Sequence, residues 1–355
     1  MSGSGSAHSP HSLATDWSAR VLRWQQQHGR HDLPWQGTQD PYRVWLSEIM
    51  LQQTQVVTVR EYYARFLQRF PDVQALAAAT LDEVLALWSG LGYYSRARNL
   101  HACAQQVAAH HGGVFPRSAE QLQELPGIGR STAAAVASIC FGERVAILDG
   151  NVKRVLTRML GYGADLAEVR HERVLWTLAT DLLPQRDLQR AMPRYTQAVM
   201  DLGATVCTPR KPVCLVCPAA DICVAQREGR PEHYPVKTRK LKRSAQSLWL
   251  LWARTRDGAV WLSPRPTPGV WAGLQSFELF ESFEALSRAV PARYRSRLEE
   301  LPTFVHVLTH KDLHLHPVQV QLPLSVRLSE PGEWHAAEAW PALGLPAPVR
   351  KLLKS

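Results

Sequence analysis

The chain has 355 residues, 45% hydrophobic and 20% charged, which excludes a disordered polymer and leaves room for about two domains of ~150 residues. No uninterrupted apolar run approaches the ~20 residues a bilayer requires, so no membrane partner is expected. A formal charge of +10 and a pI near 9.5 favour a polyanionic partner such as nucleic acid.

The opening MSGSGSAHSPHS lacks a basic stretch followed by an apolar one. Residues 1–15 therefore read as a disordered leader, and the protein is expected not to be secreted. From Asp16 to about Glu228 helix follows helix, and this stretch, 16–228, reads as one all-α domain. Asp40-Pro41 supplies an N-cap and a proline for the first turn, with Val44, Trp45, Ile49, Val56, Val57 and Val59 as the apolar positions beyond. Within WLSEIMLQQTQV, Glu48 lies four residues after Val44, three after Trp45 and three before Leu51. Helical geometry puts that carboxylate on the apolar face, where desolvation raises its pKa toward that of a general acid at neutral pH. A partly exposed helix glutamate has the same spacing. Farther on, LDEVLALWSG closes on Gly90 and SRARNLHACAQQVAAHHGG on a glycine pair.

ELPGIGRSTAAAVAS follows, with Ser118 and Gln121 as a capping box and Pro126 to Gly129 as the turn into a second helix. Gly127 and Gly129 leave backbone N–H groups free to hold a phosphate at a helix N-terminus, or serve close helix packing. In AILDGNVKRVL, Asp149 has the placement of an N-cap facing the positive end of a helix dipole. Capping alone explains Asp149; catalysis would need further support.

Of six cysteines, Cys103 and Cys140 sit alone on apolar helical stretches as small hydrophobes. The other four, Cys207, Cys214, Cys217 and Cys223, are spaced C-x6-C-x2-C-x5-C. In a reducing compartment that spacing reads as a metal centre, and four thiolates satisfy either Zn²⁺ or a [4Fe–4S] cluster. Residues 229–245, with five basic side chains between Lys237 and Arg243, read as a basic linker able to lie on phosphates. Residues 246–355 form an α+β domain, with a hairpin turn at Asp257-Gly258, a strand pair in TFVHVLTHKDLHLHPVQVQL and a short helix in SFEALSRAV.

The helix–GxG–helix hairpin, the aspartate some twenty residues beyond it and the closing four-cysteine spacing resemble the helix-hairpin-helix DNA glycosylase superfamily. Within it, LPW at Leu33–Trp35, WLSEIMLQQTQV, LWSGLGYYSRARNL, LPGIGRSTAAAV and ILDGNVKRVL resemble the MutY-type adenine DNA glycosylases. The resemblance is dense over the N-terminal ~225 residues and loose beyond. It implies a multidomain fold: an all-α helix-hairpin-helix glycosylase domain with a [4Fe–4S] loop at 207–223, then a MutT-like (Nudix-fold) domain.

The resemblance also implies roles. Glu48 protonates adenine mispaired with 8-oxoguanine or guanine, Asp149 stabilises the sugar cation, and Asn151 orients Asp149. Trp35, Gln53, Leu91 and Tyr93 meet the substrate or enter the duplex, and Gly127, Gly129 and Ser131 belong to the DNA-binding hairpin. Lys153 is a phosphate contact or a partner of Asp149; Arg30 and Arg96 are further phosphate candidates. Endonuclease III-type enzymes carry a Schiff-base lysine where this chain has Ser131, so a monofunctional enzyme acting as a monomer on double-stranded DNA, cytoplasmic or on a bacterial nucleoid, is implied. In the C-terminal domain the family's Phe-Ser-His becomes Leu308-Thr309-His310, with Thr309 and His310 expected to meet 8-oxoguanine. Without a Nudix box the domain is expected to bind rather than hydrolyse. Two rival functions are an endonuclease III-like pyrimidine glycosylase/lyase, disfavoured by Ser131 and the extra domain, and a non-enzymatic lesion sensor.

Overall fold

The structure, a computed structural model, describes residues 10–238 and 243–355. They contain α1 (Pro10–His28), α2 (Pro41–Leu51), α3 (Val56–Arg69), α4 (Val73–Ala78), α5 (Leu81–Trp88), α6 (Ser95–His111), α7 (Ala119–Leu122) and α8 (Arg130–Phe141). Then come α9 (Gly150–Leu160), α10 (Val169–Asp181), α11 (Leu188–Thr205) and α12 (Val224–Arg227). The C-terminal part contains β1 (Ser244–Arg254), β2 (Val260–Pro264), β3 (Gln275–Ser276), β4 (Glu278–Phe280), α13 (Phe283–Ala289), β5 (Glu299–Glu300), β6 (Phe304–Val307), β7 (Lys311–Gln321), β8 (Glu333–His335) and α14 (Ala347–Leu353). No helix among the described residues is long and apolar enough to cross a membrane.

Two boundaries move from expectation. α1 takes in Pro10–His28 and so occupies part of the stretch read as leader. β1 starts at Ser244, inside the stretch read as linker; the linker's residues 239–242 and the leader's residues 1–9 lie outside the described residues.

The chain forms two compact units, one of residues 1–63 and 103–240, the other of 64–102 and 241–355. The second unit thus takes a segment from the middle of the stretch expected to be a single helical domain. The first unit is helical and packs around Trp17, Leu148, Val152, Leu156, Leu175, Tyr195 and Leu202. Asp40 caps α2 as expected, accepting from the Tyr42 N–H at 2.9 Å. The apolar run then breaks after α2, where Gln53 takes a left-handed φ of 58°. α3 restarts at Val56, leaving Val57 exposed and Val59 buried.

In the second unit one sheet runs β3-β2-β1-β7-β5, with β4 and β7 both on β1, β6 on β7 and β8 on β2. β1 and β7 run parallel from Ser244↔Lys311 to Arg254↔Gln321, a register that alternates buried and part-exposed residues along β7. Leu251, Trp261, Leu286, Val318 and Val320 form its core. The expected turn at Asp257-Gly258 joins β1 to β2, with Gly258 at φ 90°. β6 and β7 form an antiparallel hairpin closed by Leu308, Thr309 and His310.

Candidate active site

Val44, Trp45 and Ile49 turn one face of α2 into the core, and helical spacing puts Glu48 on the margin of that face. Glu48 opens into a cavity of about 610 Å³ shared with Trp35, Gln36, Ser47, Ile139 and Gln197, a size suited to a small molecule or a single base. Burial first, and then the negative charge of Asp149, push the Glu48 carboxyl up to about 7. Trp35, 7% exposed, lines the same cavity and stands edge-on to Tyr63 at 5.5 Å. Both amide atoms of Gln36 are buried there with no hydrogen-bond partner.

Asp149 caps α9 as expected, its Oδ1 accepting from the Val152 N–H at 2.7 Å. Its carboxyl titrates above the ordinary aspartate range because burial outweighs the Val152 and Asn151 N–H groups and the charges of Arg154 and Lys153. Desolvation thus outweighs the pull of the helix N-terminus toward the anion. Those four groups still favour its anion, whereas Glu48 has burial and a neighbouring anion against it. Asp149 is thus the first of the two to ionise.

The side chain expected to orient Asp149 faces elsewhere: the Asn151 Oδ1 accepts from Arg154 at 2.8 Å, and only the Asn151 backbone N–H serves Asp149. Lys153 is salt-bridged to Glu172 at 2.8 Å rather than to Asp149, a second helix supplying the nearer carboxylate. From α9, Arg154 donates to the carbonyls of Cys207 and Gly203 at 2.7 and 2.6 Å. Arg158, 2% exposed, donates to the Cys207 Sγ at 3.4 Å and to the carbonyls of Thr208 and Pro209 at 2.7 and 3.0 Å. One helix therefore carries Asp149 at its start and grips the cysteine loop along its length.

Cys207, Cys214, Cys217 and Cys223 line one small cavity, and none is in a disulfide. Burial raises the Cys214, Cys217 and Cys223 thiols, as does the neighbouring Cys207. Such a set stays ionised only with cationic charge among the sulfurs. Among the described residues no three His, Cys, Asp or Glu side chains are grouped to hold a single metal ion. Four free thiols facing one cavity fit a cluster as donors. Cys103 is fully buried, as expected, and Cys140 is partly exposed.

The hairpin between α7 and α8 turns at Gly127, whose φ is 74°. Gly129 caps α8 without any side-chain hydrogen bond and has open space around it, so the first N–H groups of α8 carry no side-chain cap. Ser131 is half-buried, and its Oγ accepts from the Leu148 N–H at 3.1 Å, tying the start of α8 to the segment that leads to Asp149. Gln53 is exposed.

In the second unit a groove of about 730 Å³ is lined by Leu91, Tyr93, Trp271, Thr309 and His310 among others. Leu91, expected to enter a duplex, is only 6% exposed, since its apolar side chain gains more from packing. Tyr93 is 42% exposed at a left-handed φ of 48°, and its hydroxyl hydrogen-bonds Thr309. His310 is exposed beside Thr309. Arg96 is 8% exposed and donates to the Leu91 and Gly92 carbonyls at 3.3 and 3.2 Å, so it shapes the loop instead of reaching phosphate.

Sequence reasoning missed a third carboxylate, in addition to Glu48 and Asp149. Asp201 on α11 is fully buried and pairs with Arg30 at 2.7 Å, which takes Arg30 from a proposed phosphate contact to the cavity wall. The signal that singled out Glu48, an acid inside an apolar helical run, also marks Asp201 in QAVMDLGA.

A model of the HhH-GPD superfamily of base excision DNA repair proteins matches residues 46–179, and a NUDIX domain model matches 249–355. Among solved structures, a thermostable thymine-DNA glycosylase aligns with TM-score 0.53 and 28% identity over 61% of this chain and 97% of its own. Endonuclease III bound non-covalently to DNA aligns with TM-score 0.51 over 63% of this chain and 99% of its own; at 19% identity this likeness concerns the fold alone. The adenine DNA glycosylase of Homo sapiens is 46% identical over 228 residues, 61% of this chain and 41% of that protein. The adenine DNA glycosylase of Buchnera aphidicola subsp. Acyrthosiphon pisum (strain APS) is 36% identical over 344 residues, 96% of this chain and 97% of that protein. With both units matched end to end in that relative, the chain belongs to the adenine DNA glycosylase family of base excision repair enzymes.

Proposed function

We propose that the chain is a monofunctional glycosylase that releases adenine mispaired with 8-oxoguanine or guanine in double-stranded DNA, acting as a monomer. The observation that carries this reading is the pair of carboxyls set apart by their surroundings, Glu48 pushed up to about 7 in a cavity of base size and Asp149 ionising first.

The target adenine leaves the stack, at a cost of a few kcal/mol that is smaller for a mispair, and enters the cavity beside Trp35. Glu48 donates its proton to the purine, at N7, and the N9–C1′ bond breaks with its electron pair going to the base. Asp149 holds its negative charge against the cation left on the sugar or bonds to C1′ transiently, as in retaining glycosidases. Water then adds at C1′ and loses its proton to the Glu48 carboxylate, which restores the acid and leaves an abasic site. Strand cleavage needs an amine at the sugar. Ser131 has none, and the Lys153 ammonium is tied to Glu172.

For the opposite base, Thr309 and His310 supply polar atoms beside Tyr93, and the Thr309 hydroxyl can donate to or accept from an oxidised purine. Gly127 and Gly129 present backbone N–H groups to a phosphate. Cys207, Cys214, Cys217 and Cys223 would hold a [4Fe–4S] cluster, which when bound supplies the cationic iron that keeps these thiolates ionised.

Single-turnover base release from a duplex with adenine opposite 8-oxoguanine, beside one with adenine opposite thymine, tests the reading. Adenine released from the mispair alone, without strand scission and lost in Asp149→Asn, supports it. A folded, DNA-binding wild type that releases nothing overturns it.

A further inference from the structure

Gln197 and Asp201 stand one helical turn apart on α11, at the i and i+4 spacing that brings an amide and a carboxylate together. The Gln197 Nε2 donates to the Asp201 Oδ1 at 2.9 Å. The same carboxylate, fully buried, accepts from the Arg30 Nε at 2.7 Å and the Arg30 backbone N–H at 3.0 Å. Gln197 is half-buried and lines the cavity that holds Glu48.

An ionised carboxylate only accepts hydrogen bonds, so the amide end of Gln197 must face Asp201. The carbonyl end is then left for the cavity, and no hydrogen bond within the described residues engages the Gln197 Oε1. A glutamine amide that could turn freely would offer donor and acceptor alike and would read nothing.

We propose that Asp201 is a positioning residue that locks the Gln197 amide with its oxygen toward the cavity, so that the site accepts a purine carrying an amine at C6 and rejects one carrying a carbonyl there. This rests on the adenine-releasing reading and assigns its base selectivity. Adenine donates from C6 to the fixed oxygen. Hypoxanthine and guanine set a carbonyl oxygen against it, and two facing acceptors leave both buried groups unsatisfied. Arg30 helps by neutralising Asp201, so that a buried carboxylate is tolerated beneath the cavity.

The test measures single-turnover release of adenine and of hypoxanthine, each opposite 8-oxoguanine, by the full-length wild type, Asp201→Asn, Gln197→Leu and the double variant. Asparagine at 201 can donate as well as accept, so Gln197 is free to turn. The adenine-to-hypoxanthine rate ratio is expected to fall at least about tenfold in each single variant, and the double variant to fall no further than either. Equal slowing on both bases overturns the proposal, because a purely structural Asp201 lowers both rates in proportion. An Asp201→Asn effect that persists in the Gln197→Leu background also overturns it, since selectivity would then come from a released Arg30. Should Asp201→Asn fail to fold, the wild type itself decides by NMR: a resolved, slowly exchanging Gln197 side-chain amide supports the lock, and a motionally averaged, fast-exchanging one refutes it. A wild type that releases no adenine condemns the parent reading instead, whatever the amide does.

Discussion

Glu48 acts as an acid only while it keeps its proton, and burial with Asp149 nearby extends that condition to pH of about 7. The adenine-release rate is therefore expected to fall as pH rises through 7, and to fall on the acid side as Asp149 becomes protonated, a bell that a rate profile under single-turnover conditions displays. Glu48→Gln should lose about 10²–10⁴-fold in rate and lose the alkaline limb with it. The same carboxyl bears on stability. A folded-state value raised above the unfolded one means that the native protein binds the extra proton, so stability is greatest below the ordinary glutamate range and declines until the pH has passed through 7. Glu48→Gln is accordingly expected to unfold at higher temperature than wild type at pH 8, by up to roughly 3 kcal/mol in stability, with the gap closing near pH 4; thermal melts at the two pH values check it. Thr309 carries a different burden. Its hydroxyl is bonded to Tyr93, and Thr309→Val is expected to reduce the preference for 8-oxoguanine over guanine opposite adenine while leaving release opposite guanine within about twofold.

α9 shows at the scale of an element why some of the site was legible and some was not. Asp149 could be read as a cap because capping is local: Gly150, Asn151 and the apolar positions that follow it lie within one helical turn. The uses of Arg154 and Arg158 were not legible, since each grips backbone about fifty residues away, and no spacing within the helix announces that. Arg30 and Asp201 pair across 171 residues for the same reason. Ser131 is a further case, a hairpin residue whose hydroxyl also accepts from the Leu148 N–H seventeen residues on, a bond that no local spacing announces. Arg154→Ala strips donors from Asn151, Gly203 and Cys207 together. It is expected to lower the melting temperature by roughly 5–10 °C, to lower the iron bound per chain and to slow adenine release, as seen by calorimetry, iron analysis and base-release assay on one preparation.

Across the whole molecule, a net charge of +10 predicts that binding to undamaged duplex is largely electrostatic. If six or more phosphates are contacted, the affinity should drop at least about a thousandfold between about 50 and 200 mM salt, measured by titration at several ionic strengths. The fold class was readable because helical periodicity and strand alternation change character near the basic linker. The grouping of 64–102 with 241–355 was not, because it depends on contacts between segments far apart in sequence. Those contacts are specific. The Ser89 and Tyr94 hydroxyls both donate to the Leu345 carbonyl at 3.1 and 3.2 Å, and Arg98 donates to the Ala272 carbonyl at 2.6 Å. Anyone building a chimera from two relatives would cut at the linker, and would thereby divide one packed body between two parents. A transplant of the C-terminal part that keeps its hydrogen bonds must bring its own counterparts of Ser89, Tyr93, Tyr94 and Arg98, so the exchangeable piece of this protein is two stretches of chain and not one.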